Sequence, residues 1–65
     1  MKDETKKMIA RFTNLKEGIE VGTDVKSNGG DRVEIRQDGC LCWRAFEFEA
    51  GFYEDLEKNL KWASQ

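Results

Sequence analysis

The segment that decides the fold lies in the middle of the chain, where residues 32–48 read RVEIRQDGCLCWRAFEF. Its first five residues alternate charged and apolar side chains, which is the period of a β-strand with one buried face. Asp38 and Gly39 follow as the dipeptide most typical of a two-residue type I′ hairpin turn. The aromatic residues beyond the turn favour a second strand. The segment therefore predicts a hairpin with strands over residues 31–37 and 40–49.

The turn also predicts which side chains share a face of the hairpin. A two-residue loop sets Gln37 opposite Cys40 and Ile35 opposite Cys42. One face, which we expect to be the core, then carries Val33, Ile35, Cys40, Cys42, Phe46 and Phe48, with Arg44 as its charged member. The opposite face carries Arg32, Glu34, Arg36, Leu41, Trp43, Ala45 and Glu47. A slip of one residue would exchange the faces, burying Leu41 and Trp43 at the cost of exposing two phenylalanines.

Two helical patterns flank the strands. The first predicts a helix over residues 3–17, with Gly18 as its left-handed stop, and its apolar stripe consists of Met8, Ile9, Phe12 and Leu15. The second predicts a helix over residues 51–63, with a stripe formed by Phe52, Leu56, Leu60 and Ala63 beside Tyr53. Acidic residues at 54, 55 and 57 suit the first half of that helix, because negative charge is favoured near a helix N-terminus.

A third strand is predicted between the first helix and the hairpin. Ile19, Val21, Thr23 and Val25 alternate with polar residues or glycine and predict a strand over residues 19–26, before a turn cluster at residues 27–30. The chain is then a single α+β domain over residues 1–65, in the order α-β-β-β-α. Because each helix has one apolar stripe and the sheet has one apolar face, we expect two layers. The three-stranded antiparallel sheet has both helices on one face.

The composition narrows the function. The 65 residues include 13 acids and 11 bases, and this net charge of −2 argues against a strongly basic nucleic-acid binder. No apolar run approaches the roughly 18 residues that a membrane span needs. The charged N-terminal residues are not followed by the apolar core of a signal peptide. We therefore expect a cytoplasmic protein without a membrane partner.

Catalytic and metal-binding patterns are missing from the sequence. There is no histidine, and no glycine-rich phosphate loop or dinucleotide fingerprint occurs. Glu47 and Glu49 are interpreted as solvated strand positions without a pocket. Cys40 and Cys42 are interpreted as reduced core residues, because a four-thiolate zinc site would require a symmetric dimer. The sequence thus predicts no enzyme, no cofactor and no metal.

The face that the helices leave uncovered is the predicted binding surface. Trp43 and Leu41 form its centre, and its rim is made of Arg36, Arg32 and Glu34. An exposed tryptophan among charges is typical of an interface hot spot. The alternative is that Trp43 packs on the aliphatic stems of the neighbouring arginines. With Trp43 as the exposed centre of the binding surface, Trp43→Ala is predicted to cost under about 1.5 kcal/mol of stability. Alanine at Phe46 or Phe48, on the predicted core face, is predicted to cost about 3–5 kcal/mol.

Trp62 is the second prominent aromatic residue, and it lies off the stripe of the final helix. Large aromatic side chains commonly pack at the edge of a core, and we favour that place for Trp62 over the alternative of a second exposed aromatic.

Two functions from different classes follow. The leading hypothesis is a non-enzymatic protein-binding module, an adaptor, regulator or inhibitor of the kind that phages and mobile elements also carry. Its partner is another protein or a second copy. The alternative is nucleic-acid binding, because the order of elements resembles that of double-stranded-RNA-binding domains, in topology alone. In those domains the last helix begins with glycine and lysine residues that contact phosphates, whereas residues 51–55 read GFYED here, which disfavours this partner.

Overall fold

The computed structural model describes residues 3–24 and 31–65. Its elements are α1 (Asp3–Ala10), β1 (Ile19–Asp24), β2 (Arg32–Gln37), β3 (Cys40–Phe46) and α2 (Phe52–Ala63). The predicted α+β class and the order α-β-β-β-α are confirmed. The predicted turn cluster at residues 27–30 and the last two residues of the first predicted strand lie outside the described residues. Neither described helix has the length and apolarity needed to cross a bilayer.

The sheet has the strand order β1-β2-β3, with antiparallel neighbours. Gln37 lies opposite Cys40, as the two-residue turn predicted. Asp38 and Gly39 have φ values of 52° and 85°, and a type I′ turn requires positive φ at both positions. The predicted two-residue turn, and the residue pair next to it, are therefore confirmed.

Beyond the second residue pair, the predicted register is wrong. Arg36 lies opposite Leu41, but Ile35 lies opposite Trp43 rather than Cys42. Cys42 is thus an extra residue in β3, which makes a β-bulge. Because side chains alternate along a strand, one inserted residue reverses the face of every position that follows it. Trp43 and Ala45 therefore lie on the core face, whereas Phe46 is opposite Arg32 on the other face.

The core lies between this face of the sheet and α2. Its buried members are Val33, Ile35, Phe52, Leu56 and Leu60. Partly buried residues from α1, β1, β3 and the adjoining segments surround them, namely Met8, Ile9, Phe12, Ile19, Val21, Trp43, Ala45 and Tyr53. Both helices therefore contribute to one core, on one side of the sheet, as predicted. Of the residues expected to be buried, Phe12, Leu15 and Phe46 are half-buried, and Phe48 is exposed.

The first helix is shorter than predicted, since α1 ends at Ala10 and not at residue 17. The segment that follows leaves the helical path and pairs with the end of α2, where the Lys16 N–H donates to the Ala63 carbonyl at 2.8 Å. Gly18, with φ of 86°, lies in the turn into β1 instead of stopping a helix. Its carbonyl accepts the Asp38 N–H at 2.9 Å, which links this turn to the hairpin.

A buried polar network joins α1 to the end of the sheet. The Glu47 side chain is buried, which corrects its prediction as a solvated position. Its two oxygens accept the Thr5 hydroxyl at 2.5 Å and the Asp31 N–H at 2.9 Å. The Tyr53 hydroxyl lies 3.1 Å from the Thr5 hydroxyl oxygen. Because the single Thr5 hydroxyl proton points to Glu47, Tyr53 must be the donor in this contact.

Candidate functional site

The side of the sheet opposite the core is the candidate site, and we call it the open face. Neither α1 nor α2 contributes to it in the described chain. Its side chains come from all three strands and from the turn after β3, and they are Glu20, Asp24, Arg32, Glu34, Arg36, Leu41, Arg44, Phe46 and Phe48. The face therefore combines paired charges with a strip of apolar groups along β3.

Phe46 and Phe48 form the main apolar feature of the open face. Their ring centroids are 5.2 Å apart with an interplanar angle of 22°, which is a stacked arrangement. Phe48 remains 58% exposed. The turn that carries it is held by the Glu49 carboxylate, which accepts the Phe46 N–H at 2.6 Å. The Glu49 N–H in turn donates to the Phe46 carbonyl at 3.0 Å. The stacked pair is thus presented by a closed turn rather than by an open-ended loop.

Two arginines of the open face are engaged by acids on the same face. Arg32 pairs with Asp24, which lies directly opposite it on β1, at 2.5 Å. Arg36 pairs with Glu34 on its own strand at 3.3 Å, and it also donates to the Gly39 carbonyl at 3.3 Å. These contacts hold both guanidinium groups close to the sheet. They also neutralise charge locally, since each pair brings one cation to one anion.

Arg44 differs from the other two arginines. It lies opposite Glu34 in the register, but the Glu34 carboxylate is bound to Arg36. Within residues 3–24 and 31–65, no carboxylate lies within ion-pair distance of the Arg44 guanidinium, and the residue is exposed. Leu41, which is 45% exposed, precedes it on β3, and Phe46 follows it. Among the described residues, Arg44 is therefore a cation without an ion-pair partner, and it lies between apolar side chains.

Four of the five residues predicted to bind a partner lie on the open face, and one does not. Arg32, Glu34, Arg36 and Leu41 are where the turn predicted. Trp43 is on the core side, partly buried, with its ring centroid 5.9 Å from that of Phe52. The prediction of Trp43 as the exposed centre is wrong because the bulge turns it inward. Its packing on arginine stems is excluded for the same reason.

The sequence interpretation missed Phe46, Phe48 and Arg44 as open-face residues. Strict alternation after Asp38-Gly39 assigned all three to the core. The sequence did allow the opposite assignment, because a register slip of one residue buries Trp43 and exposes the two phenylalanines. The bulge achieves that exchange for β3 beyond Cys42 and keeps Leu41 on the open face.

The cysteines and Trp62 also differ from their predictions. Cys40 and Cys42 are free and exposed near the hairpin turn, so their assignment to the core is wrong. In the described chain, no three His, Cys, Asp or Glu side chains come together as metal ligands would. Trp62 is 37% exposed rather than packed at an edge of the core. The Lys16 ammonium lies 4.3 Å from its ring centroid, in a cation–π contact.

In comparisons with known proteins, no family model, no curated protein and no solved structure matches this chain. The open face and the buried network are thus the observations from which a function is inferred.

Proposed function

We propose that this protein is a small non-enzymatic binding module whose open face contacts another protein, so that it acts as an adaptor, regulator or inhibitor. The observation that carries the proposal is the stacked pair of Phe46 and Phe48 on a sheet face that neither helix covers. Exposed aromatic side chains bordered by charges favour a protein interface, where a few large residues supply most of the binding energy. Leu41 adds a further exposed apolar side chain to the same face of β3, on the other side of Arg44.

The charges of the open face favour a protein partner over a nucleic acid. Among the described residues of the face there are three acids and three arginines, and two of these arginines are bound to acids. The Glu49 carboxylate lies beside the phenylalanine pair, where it would repel a phosphate. The last helix begins with Glu54 and Asp55 in its first turn, which is unfavourable for phosphate contact in the manner of the double-stranded-RNA-binding domains that this topology resembles.

The buried polar groups support a structural rather than a catalytic role for the Glu47 network. Its carboxylate has a protein donor on each oxygen, and Tyr53 points its proton inward to Thr5. A general base needs a lone pair within reach of a substrate, and these contacts direct the lone pairs of Glu47 to the protein. The free thiols of Cys40 and Cys42 favour action in a reducing compartment such as the cytoplasm.

A photo-crosslinker placed at Leu41, at the edge of the phenylalanine strip, tests the proposal in cells of the source organism. The crosslinked protein is identified, purified and titrated against the wild type and against Phe48→Ala. We expect Phe48→Ala to weaken binding by about 2 kcal/mol or more, as central aromatic residues do. Trp62→Ala is the matched control, because Trp62 is an exposed aromatic outside the open face.

Three results would contradict the proposal. The first is equal binding by the wild type and Phe48→Ala. The second is an equal loss in Phe48→Ala and Trp62→Ala, which would indicate a general effect of removing an exposed ring. The third is a crosslink to nucleic acid that Phe48→Ala removes, which would favour the alternative function. Sedimentation of the purified wild type separates a second copy from a foreign partner.

A further inference from the structure

The Arg44 guanidinium on the open face indicates which chemical groups the partner presents. This inference rests on the proposed protein-binding function. We infer that the open face receives an extended protein segment in which a carboxylate is flanked by apolar side chains. The carboxylate pairs with Arg44, and the apolar side chains cover the stacked pair of Phe46 and Phe48 on one side and Leu41 on the other.

Of the three arginines on the described part of the open face, Arg44 is the one whose guanidinium remains available for a new contact. Arg32 and Arg36 are held by Asp24 and Glu34, and either arginine would have to break an ion pair to receive a carboxylate. Arg44 has no such pair to break in the described chain. A guanidinium presents planar, forked donors that match the two oxygens of a carboxylate. An acid is thus the complementary group.

The apolar neighbours of Arg44 set the spacing of the partner segment. Phe46 is two residues along β3 on the same face, which is roughly 6.5–7 Å in a strand. Leu41 is on the same face in the opposite direction, across the bulge. A segment in extended conformation repeats its side-chain direction every second residue, at the same spacing. The complementary pattern is therefore apolar, any residue, acidic, any residue, apolar.

A second copy of this chain is a poorer match than a foreign segment. Asp24 and Glu34 of the open face are engaged in ion pairs. Glu20 is exposed, but Gly22 adjoins it on the same face and offers no apolar side chain. A copy docked through its own open face would thus bring a carboxylate without its flanking apolar groups, or would have to give up an internal pair.

Selection from a displayed library of random linear peptides tests the inference without a known partner. The immobilised proteins are the wild type, Phe48→Ala, Arg44→Glu and Lys58→Glu. Lys58 is an exposed cation on α2, and its substitution changes the net charge by the same amount as Arg44→Glu. We expect wild type and Lys58→Glu to enrich peptides with the acidic–apolar pattern. Arg44→Glu should bind these peptides about tenfold more weakly or worse, and should enrich basic peptides instead.

The outcomes separate the inference from the proposed function. Peptides that require Phe48 but are indifferent to Arg44→Glu would overturn the carboxylate partner and leave protein binding standing. An equal loss of peptide affinity in Arg44→Glu and Lys58→Glu would also overturn the contact between Arg44 and a carboxylate. The affinity would then depend on the net charge of the protein and not on Arg44. Enrichment no higher for wild type than for Phe48→Ala would overturn both. A further outcome is that no peptides are enriched, whereas a short oligothymidine binds to the wild type and not to Arg44→Glu. That outcome would overturn the inference and indicate a single-stranded nucleic acid as the partner.

Discussion

The most direct consequence of the bulge is that Trp43→Ala should destabilise the fold far more than Phe48→Ala does. Trp43 is partly buried against the core and lies 5.9 Å from the ring of Phe52. A fully buried aromatic truncated to alanine costs about 3–5 kcal/mol, so a half-buried ring costs about 2 kcal/mol. Loss of the aromatic contact adds about 1 kcal/mol. The sum is about 3 kcal/mol, a large share of the total stability of about 3–10 kcal/mol for a chain of this size.

Phe48→Ala is the matched comparison, since it also removes one ring from the β3 region. Because Phe48 is 58% exposed, we expect a loss under about 1 kcal/mol. Urea unfolding followed by circular dichroism measures both variants without depending on tryptophan emission, and a thermal melt gives a second reading. Trp43→Ala should lower the melting temperature by about 12 °C or more. Phe48→Ala as the more damaging variant would refute the bulged register and restore strict alternation.

Two further predictions concern the buried network and the thiols. Thr5→Val should cost about 1–3 kcal/mol in urea unfolding, because it removes the hydroxyl that donates to the buried Glu47 carboxylate; a loss below a few tenths would show that Glu47 is satisfied without α1. Cys42→Ser should change the free energy of unfolding by no more than about 0.5 kcal/mol, because the thiol is exposed. For the same reason the wild-type thiols should react rapidly with a thiol reagent under native conditions. The wild type should also keep its fold when a chelator is added. Slow labelling, or unfolding by the chelator, would contradict this.

The parts of the fold that follow from local chemistry were predictable. Asp38-Gly39 suits the positive φ of both turn residues, and this alone sets the first pairs of the hairpin. The stripe of Phe52, Leu56 and Leu60 predicted α2 and its buried face correctly. In both cases the residues that determine the geometry lie within a few positions of each other.

The bulge was not predictable from alternation. Position 42 carries neither a glycine nor another residue that marks an extra position in a strand. Both faces of β3 also contain aromatic residues, so hydrophobicity does not choose between the two registers. The interior favours Trp43, since it meets Phe52 from α2. That contact is made with α2, outside the hairpin, so the hairpin sequence alone does not report it. The register that the contact favours also moves Phe46, Phe48 and Arg44 from the core face to the open face.

The end of α1 and the burial of Glu47 depend on partners even farther along the chain. The Lys16 N–H bonds to the Ala63 carbonyl, and a helix over residues 3–17 could not make that contact. Glu47 is stabilised in the interior by Thr5 and by the Asp31 backbone, which approach it from other elements. Patterns within one window report none of these pairings, so the sequence suggested a solvated acid and a longer helix.

The bulge at Cys42 also affects how readily another chain could pair with the β3 edge of the sheet. An edge strand with a regular row of free N–H and C=O groups is a template for pairing with another chain. In β3 the row is interrupted at Cys42, and farther along the strand the Glu49 carboxylate occupies the Phe46 N–H. A foreign strand could find only a short regular stretch between these two points. The same residue that brings Trp43 into the core thus makes the β3 edge of the sheet a poorer template for another strand.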